Sequence, residues 1–345
     1  MLLLFAGVLP ACAGSDLIEE QKSEKRLQFN AYVEEELAKA AQARTAEAEK
    51  AGDHWFFSVE PSIGYDSNVN LNAEKQSAYY RELRSELGFK ASRPVLPILG
   101  AGQWGMSAVA DRIDIHDFSL LDTTDSTAKA FITSRLFDGL TLKVPYEFEG
   151  LYYPKNDQLN FLSHKIRPEL FHEISKYFGH YVTATLRFRN YVDRKALNET
   201  NSASDKYRRD VTYEPGYGWR IRLGNQTLLG LSGAWQKNDS NDIFDRYNDT
   251  RGIKVGGVLY RQLWDRASLV GVGGYDKKDY DARKFRAGSP LTETDHFFYF
   301  GSYLTLDLSK KTQLIASYLY KQNNSSDPAQ EYSGTIATFG LNVTL

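Results

Sequence analysis

The chain has 345 residues, a net charge of -2 and an isoelectric point near 6.3. This balance gives no basic excess for binding nucleic acid, and after the first residues no apolar run approaches the roughly 20 residues of a membrane-spanning helix. The chain is rich in Tyr (22), Phe (19) and Gly (26), yet its mean hydropathy is -0.47. Such a composition is typical of β-strands in which only alternate residues face lipid.

The N-terminal residues have features of an export signal. An apolar run from Leu2 to Pro10 precedes an Ala-Cys-Ala sequence that ends at Ala13. Small residues after an apolar run fit signal peptidase, so we predict a signal peptide over residues 1–13, although no Lys or Arg precedes the run. Cys12 is the only cysteine. It is either removed with the peptide or lipidated, since its surroundings loosely resemble a lipoprotein box.

The next segment has helical character. Residues 16–51 are rich in Ala, Glu, Lys and Gln and contain neither Pro nor Gly, and their apolar residues roughly follow helical spacing. We therefore predict an amphipathic helix within residues 14–53. Three placements fit it: a periplasmic helix or linker that packs on a neighbouring surface, a plug inside a lumen, or a coiled coil with a partner.

From residue 54 onward, apolar residues occupy alternate positions in segment after segment. The last segment is the clearest, because Ala337, Phe339, Leu341, Val343 and Leu345 share one phase while Thr338, Gly340, Asn342 and Thr344 share the other. Alternate residues of a strand point to opposite faces, so each segment has one apolar and one polar face. A slip of this phase near residues 104–115 predicts a β-bulge in the third strand.

These two-faced segments indicate an all-β fold that is covered by lipid. The chain offers no apolar helices to cover the strands, and closure of the sheet removes unpaired backbone edges. Short turns alternate with longer polar segments, as in barrels with tight periplasmic turns and longer external loops. The sequence therefore predicts an antiparallel transmembrane β-barrel of about 14 strands over residues 54–345, in the bacterial outer membrane. Both termini of the chain are expected in the periplasm.

Two short motifs resemble a known group. The sequence Gly-Tyr-Asp-Ser-Asn-Val-Asn at 64–70 ends the first strand, and Asn-Asn-Ser-Ser-Asp-Pro at 323–328 precedes the last one. Both resemble the barrel domain of the surface lipoprotein assembly modifier group and related uncharacterised barrel porins. The resemblance implies a 14-stranded outer-membrane barrel that assists export, although that group usually carries helical repeats ahead of its barrel. Turn chemistry alone assigns Asp66, Ser67 and Asn68 to bending and solvating a loop.

The polar phase of the central strands carries many charges, and these are the candidate lumen or constriction residues. They are Lys143, Glu147, Glu149, Lys165, Arg167, Glu169, Arg187, Arg189, Glu214, Arg220 and Arg222. Two arrangements are open: opposite walls of opposite sign that set a field across a wet pore, or direct cross-strand pairs that narrow it. For any one residue we favour pairing.

Aromatic residues divide by phase. The outward set is expected to form interface girdles: Tyr146, Tyr152, Tyr213, Tyr217, Trp219, Trp235, Phe298 and Phe300. The opposite set is expected to line the lumen, where it packs against other lumen side chains or touches a sugar: Tyr181, Tyr191, Phe297, Tyr299 and Tyr303.

No catalytic constellation is recognisable, so we expect no enzyme, no catalytic or metal site and no cofactor. The six histidines fall mostly at strand ends or in the outward phase. We expect a pore or transporter that passes a polar solute through a charged lumen. The alternatives are an export or assembly factor for surface lipoprotein or polysaccharide, and a soluble β-rich periplasmic binding protein. The expected partners are outer-membrane lipid and a polar solute, a saccharide or an exported lipoprotein, with no nucleic acid. The oligomeric state stays open.

Overall fold

The computed structural model describes residues 53–69, 71, 75–91, 102–198, 202–242, 248–284 and 291–345. The signal peptide predicted over 1–13 lies outside these residues. The helix predicted within residues 14–53 also lies outside the described residues, except for residue 53.

The described chain is built from β-strands joined by turns and loops. In chain order they are β1 His54–Asp66, β2 Ala78–Ala91, β3 Gly102–Ile115, β4 Thr123–Phe137, β5 Leu140–Tyr152, β6 Phe161–Ile166, β7 Glu169–Ser175, β8 Phe178–Leu197, β9 Ala203–Arg222, β10 Thr227–Ser240, β11 Thr250–Trp264, β12 Ala267–Lys284, β13 Thr292–Asp307, β14 Thr312–Ser325 and β15 Tyr332–Thr344. Within the described ranges the only helical pieces are three-residue 3-10 turns, and no helix there is long and apolar enough to cross a membrane.

The strands form one closed antiparallel barrel. Consecutive strands pair with each other except β6 with β7, and β1 pairs with β15, for example Ile63 opposite Phe339. β6 and β7 together fill a single position between β5 and β8. The wall therefore has 14 strands, which confirms the predicted number.

The break between β6 and β7 has a local cause. Residues 167 and 168 are Arg-Pro, and proline has no backbone N–H to donate to a ladder. The wall holds across the gap, since the Arg167 N–H donates to the Pro145 carbonyl at 3.1 Å and the Pro168 carbonyl accepts from Ala184 at 3.2 Å.

The predicted bulge in the third strand is wrong. β3 pairs with β2 and with β4 without a shift of register over its whole length. The phase of the apolar residues changes along this strand because the barrel interior is apolar at one end of it. Ile113 and Ile115 point inward and pack with Ala78 and Val69.

The outer surface of the barrel is apolar. Leu341 and Tyr213 are exposed, and Val144 lies opposite exposed Ile132 on the same face. All eight aromatic residues predicted to point outward do so, with between 40% and 57% of their surface exposed. A closed barrel with this exterior matches a bilayer and has no unpaired edge, so the protein resides in the bacterial outer membrane. The soluble alternative does not fit such a surface.

The two rims of the barrel differ as predicted. β1 begins and β15 ends at the rim that carries the tight turns at residues 138–139, 176–177 and 265–266. Gly139 and Gly224 adopt positive φ angles in turns of this rim, a conformation that favours glycine. The other rim carries the longer connections, which makes the tight-turn rim periplasmic. The β2–β3 connection, residues 92–101, lies outside the described residues.

Candidate functional site: the barrel lumen

A large cavity occupies the lumen along one side of the barrel. Its volume is about 1870 Å³, including space open to solvent, and its lining runs from Lys165 on β6 to Tyr332 on β15. These side chains share the inward phase of their strands, so the alternation seen in the sequence delivers polar groups to this space.

The charges that line the cavity are mostly basic. The eight cations are Lys165, Arg167, Arg187, Arg189, Arg208, Lys254, Lys278 and Arg283, and the four carboxylates are Asp210, Glu214, Asp276 and Asp295. Five of the eleven predicted site residues belong to this lining: Lys165, Arg167, Arg187, Arg189 and Glu214. The other six lie outside this lining, on β5, β7 and β9, and are Lys143, Glu147, Glu149, Glu169, Arg220 and Arg222.

Several predicted charges pair across strands. Arg220 donates to Glu169 at 2.7 Å, and its guanidinium lies over the rings of Phe171 and Tyr181 at 4.7 and 5.1 Å. Lys165 lies opposite Glu147, with 3.8 Å between the ammonium and a carboxylate oxygen. Direct pairing therefore describes these residues.

The partner of Glu214 was missed by sequence reasoning. Lys254 on β11 donates to Glu214 on β9 at 2.6 Å, although β10 lies between the two strands. Ala234 of β10 stands opposite Lys254 on one side and Gly216 on the other. Alanine has only a methyl group and glycine has no side chain, so the long side chain of Lys254 has room to extend across β10. The alternation of residues in the sequence could have assigned Lys254 to the lumen, but it could not have predicted that Lys254 pairs with Glu214.

Arg187 differs from these paired residues. It is half-buried in the cavity wall, and its guanidinium makes no ion pair or hydrogen bond with any residue of the described ranges. Its cross-strand neighbours are Lys165 on β6 and Thr212 on β9. The wall at this point therefore presents two adjacent cations and a hydroxyl.

A second charged group lies near the outer rim and was also missed. Arg208 forms a two-point contact with Asp210, at 3.1 and 2.8 Å, and its guanidinium lies over Tyr191 at 4.5 Å. Arg194 lies 3.8 Å from Asp242, beyond the end of β10. Burial raises the pKa of Asp242 above its ordinary value, against the opposing effect of the Arg208 and Arg194 guanidinium groups. The alternate spacing of Arg208, Asp210 and Glu214 could have assigned the first two to the lumen.

The motif at residues 64–70 does more than the predicted bending and solvation of a loop. Asp66 and Asn68 are fully buried, and Asp66 accepts from Lys321 on β14 at 2.9 Å. Asn68 donates to the Ser333 carbonyl at 2.9 Å, and the Ser67 N–H donates to the Thr335 carbonyl at 2.9 Å. We call Asp66, Ser67, Asn68 and Lys321 the seam cluster. The seam cluster joins the first strand to the last two. These contacts exist only because the barrel closes, so the loop chemistry of the motif could not predict them.

The inward aromatic residues lie against the wall. Tyr181, Tyr191, Tyr299 and Tyr303 are buried and Phe297 is half-buried, and all five belong to inward phases, as predicted. Tyr299 lies over Gly274, where a Cβ atom would fall within 2.7 Å of three Tyr299 atoms. Tyr181 lies over Gly218 in the same way. Glycine thus lets each ring lie flat, which leaves the cavity open.

The histidines behave as surface residues. His164, His180 and His296 each hydrogen-bond a tyrosine hydroxyl, at distances of 2.7 to 2.9 Å. His172 contacts His180 at 3.1 Å. In the part of the chain that the structure describes, no group of three or more His, Cys, Asp or Glu side chains could hold a metal ion.

Solved structures with a similar fold are outer-membrane proteins. The outer-membrane channel DcaP of Acinetobacter baumannii has a TM-score of 0.49 and 11% identity, with 86% of this chain and 99% of that chain covered. OmpT, an outer membrane protein of Vibrio cholerae, has a TM-score of 0.46 and 8% identity, with 85% and 97% covered. A Pseudomonas aeruginosa FadL homologue has a TM-score of 0.42 and 10% identity, with 85% and 90% covered.

No protein-family model and no curated protein matches the chain. The resemblance to the assembly modifier group therefore stays a prediction. The role of the lumen has to be argued from its own side chains.

Proposed function

We propose that this protein is an outer-membrane pore that passes polar solutes through its charged lumen. The observation that carries the proposal is a lumen cavity, open to solvent, that is lined by twelve charged side chains. Ionised groups are costly to bury away from water unless they are paired. Arg187 is half-buried and makes no hydrogen bond or ion pair with a described residue, while the carboxylates of Glu147 and Glu214 attract it from a distance, so water in the lumen best accommodates its guanidinium.

The wall geometry supports an open path. A barrel of about 14 strands has a diameter that exceeds what its own side chains fill, because diameter grows with strand number. Tyr181 and Tyr299 lie flat on glycines and do not project across this space. The paired charges, such as Glu169 with Arg220, keep their side chains near the wall.

Within this proposal six of the eleven predicted charged residues have one of two roles. The pairs Lys165–Glu147, Arg220–Glu169 and Lys254–Glu214 narrow and stiffen the wall. Arg187 presents its guanidinium to the solute path. A saccharide or another polar molecule would meet hydroxyl and guanidinium groups along the way, and the proposal requires no cofactor.

The test is conductance in planar lipid bilayers. The full chain is refolded, and its heat-dependent mobility on a gel establishes that the barrel has formed. We expect stepwise conductance that changes when Arg187, Arg189 or Arg220 is replaced by Gln. Lys237→Gln is the matched control, because Lys237 lies on β10 outside the cavity lining and pairs with Asp239. Folded protein that never conducts would refute the pore.

A plug or an export role makes a different prediction for residues 14–53. Crosslinking from Tyr32 or Leu37 that captures only the protein's own barrel would indicate a plug or brace. Capture of a separate periplasmic protein would favour the export or assembly role over the pore.

A further inference from the structure

We propose that the lumen cavity binds small organic anions that carry a carboxylate or a phosphate group, with Arg187 as the main contact. This inference rests on the proposed pore and names the class of solute that the pore selects. Three features of the cavity support it: its excess of positive charge, the engagement of its carboxylates, and the position of Arg187.

The charge excess favours anions over cations. Eight cationic side chains line the cavity against four carboxylates, and two further carboxylates, Glu147 and Glu293, pair with Lys165 and Arg283 from outside the lining, which leaves an excess of two positive charges. A wall of one sign raises the local concentration of the opposite ion, and the effect is strong where a low-dielectric wall surrounds narrow water. A solute that carries a negative group is therefore concentrated here, whereas a cation is repelled.

Three of the four carboxylates of the cavity accept hydrogen bonds, Asp295 from Tyr280 and Asn323, and the fourth, Asp276, lies 3.8 Å from the Lys278 ammonium. Glu214 binds Lys254 at 2.6 Å, and Asp210 binds Arg208 at 2.8 Å. Each of these pairs is close to neutral as a unit. A cationic solute would have to compete with a protein cation for either carboxylate, which weakens any cation site in the lumen.

Arg187 has the chemistry that an anion requires. Its planar guanidinium can donate two parallel hydrogen bonds to one carboxylate or phosphate, a geometry that a lysine lacks. Lys165 and Thr212 flank it on the adjacent strands, so an additional ammonium and a hydroxyl lie beside the same point. Arg187 makes no hydrogen bond or ion pair within the described ranges, so an anion can bind its guanidinium without breaking one and competes only with the longer-range attraction of Glu147 and Glu214.

The experiment compares ligands of matched size that differ in charge. Galacturonate is compared with galactose, and glucose 6-phosphate with glucose. Their binding to the folded full chain in detergent is measured by calorimetry, and their block of the potassium chloride current is measured in bilayers. The variants are Arg187→Gln and Arg187→Lys, with Arg251→Gln as the control. Arg251 is an exposed arginine on β11 that pairs with Asp281 and lies outside the cavity lining.

We expect the charged member of at least one pair to bind roughly tenfold or more tightly than its neutral counterpart, which is the effect of one charge-assisted hydrogen-bond contact. Arg187→Gln should remove this advantage, Arg187→Lys should keep part of it, and Arg251→Gln should keep all of it. Preference for one charged ligand over the other identifies carboxylate or phosphate as the group selected.

Equal binding of charged and neutral ligands would overturn the inference, as would an advantage that survives Arg187→Gln. The failure of the pore is separate, because calorimetry requires no current. Anion binding without conductance would refute the pore and leave the site in place. Conductance without a preference for anions would refute the site and leave the pore in place.

Discussion

The seam cluster should make barrel closure depend on one buried ion pair. Lys321 and Asp66 are almost fully buried, and 2.9 Å separates the ammonium from the carboxylate oxygen. At an effective dielectric constant of about 20, Coulomb's law gives roughly 6 kcal/mol of attraction at this distance. Removal of one partner of a buried pair typically costs about 3–5 kcal/mol, because the remaining charge stays in the interior. We therefore expect Asp66→Asn to lower the free energy of unfolding by about 3–5 kcal/mol.

The assay is urea unfolding in detergent, followed by the gel shift between folded and unfolded forms. Asp239→Asn is the matched control, because Asp239 pairs with Lys237 at a similar distance of 2.7 Å while both side chains are partly exposed. Exposed pairs contribute little to stability, so this variant should unfold with wild-type behaviour.

A double-mutant cycle separates the pair from other effects of substitution. Lys321→Met alone should be about as harmful as Asp66→Asn, and the double variant should be more stable than the sum of the two losses predicts, by about 2 kcal/mol or more. Coupling below about 0.5 kcal/mol, or a loss for Asp66→Asn no larger than that of the control, would refute the assignment of the seam cluster to closure.

Three further outcomes follow from the wall. Gly274→Ala should reduce conductance, because the added methyl group displaces the Tyr299 ring by about 1 Å or more toward the lumen. Adding Tyr299→Ala to this variant should restore the current. No change of conductance in either variant would contradict the flat packing of the ring. Glu214→Gln should increase the preference for chloride over potassium, measured as a reversal potential, because it frees the charge of Lys254 in the cavity; a shift toward potassium would contradict this. Leu259→Arg should lower the stability of the folded barrel in vesicles by about 2–4 kcal/mol if Leu259 lies near the bilayer midplane, since this exposed side chain of β11 points outward; wild-type stability in vesicles would place the side chain away from the hydrocarbon.

The faces of the strands could be predicted from sequence because their period is local. A side chain two positions away always returns to the same face, so Leu341, Tyr213 and Val144 could be assigned to the exterior without knowledge of their neighbours. Prediction failed in β3, where Ile113 and Ile115 are apolar but point inward. Apolarity marks the exterior only where the lumen is wet, and near the outer rim the interior is packed.

The contacts of the site, by contrast, depend on how the strands are staggered around the barrel. Which residues stand side by side is set by register, and register is a property of the closed sheet. Lys254 reaches Glu214 across β10, where the small residue Ala234 stands between the two strands, and Arg187 has Lys165 and Thr212 as its cross-strand neighbours.

The sequence by itself determined the alternation and the number of strands and identified five of the twelve charges that line the cavity, since each follows from spacing along one chain. The tertiary structure decided which charges cancel, which remain to meet a solute, and that a motif ending the first strand binds Lys321, 255 residues further along. Closure of the wall brings these distant residues together, and no local pattern encodes a distance across the barrel.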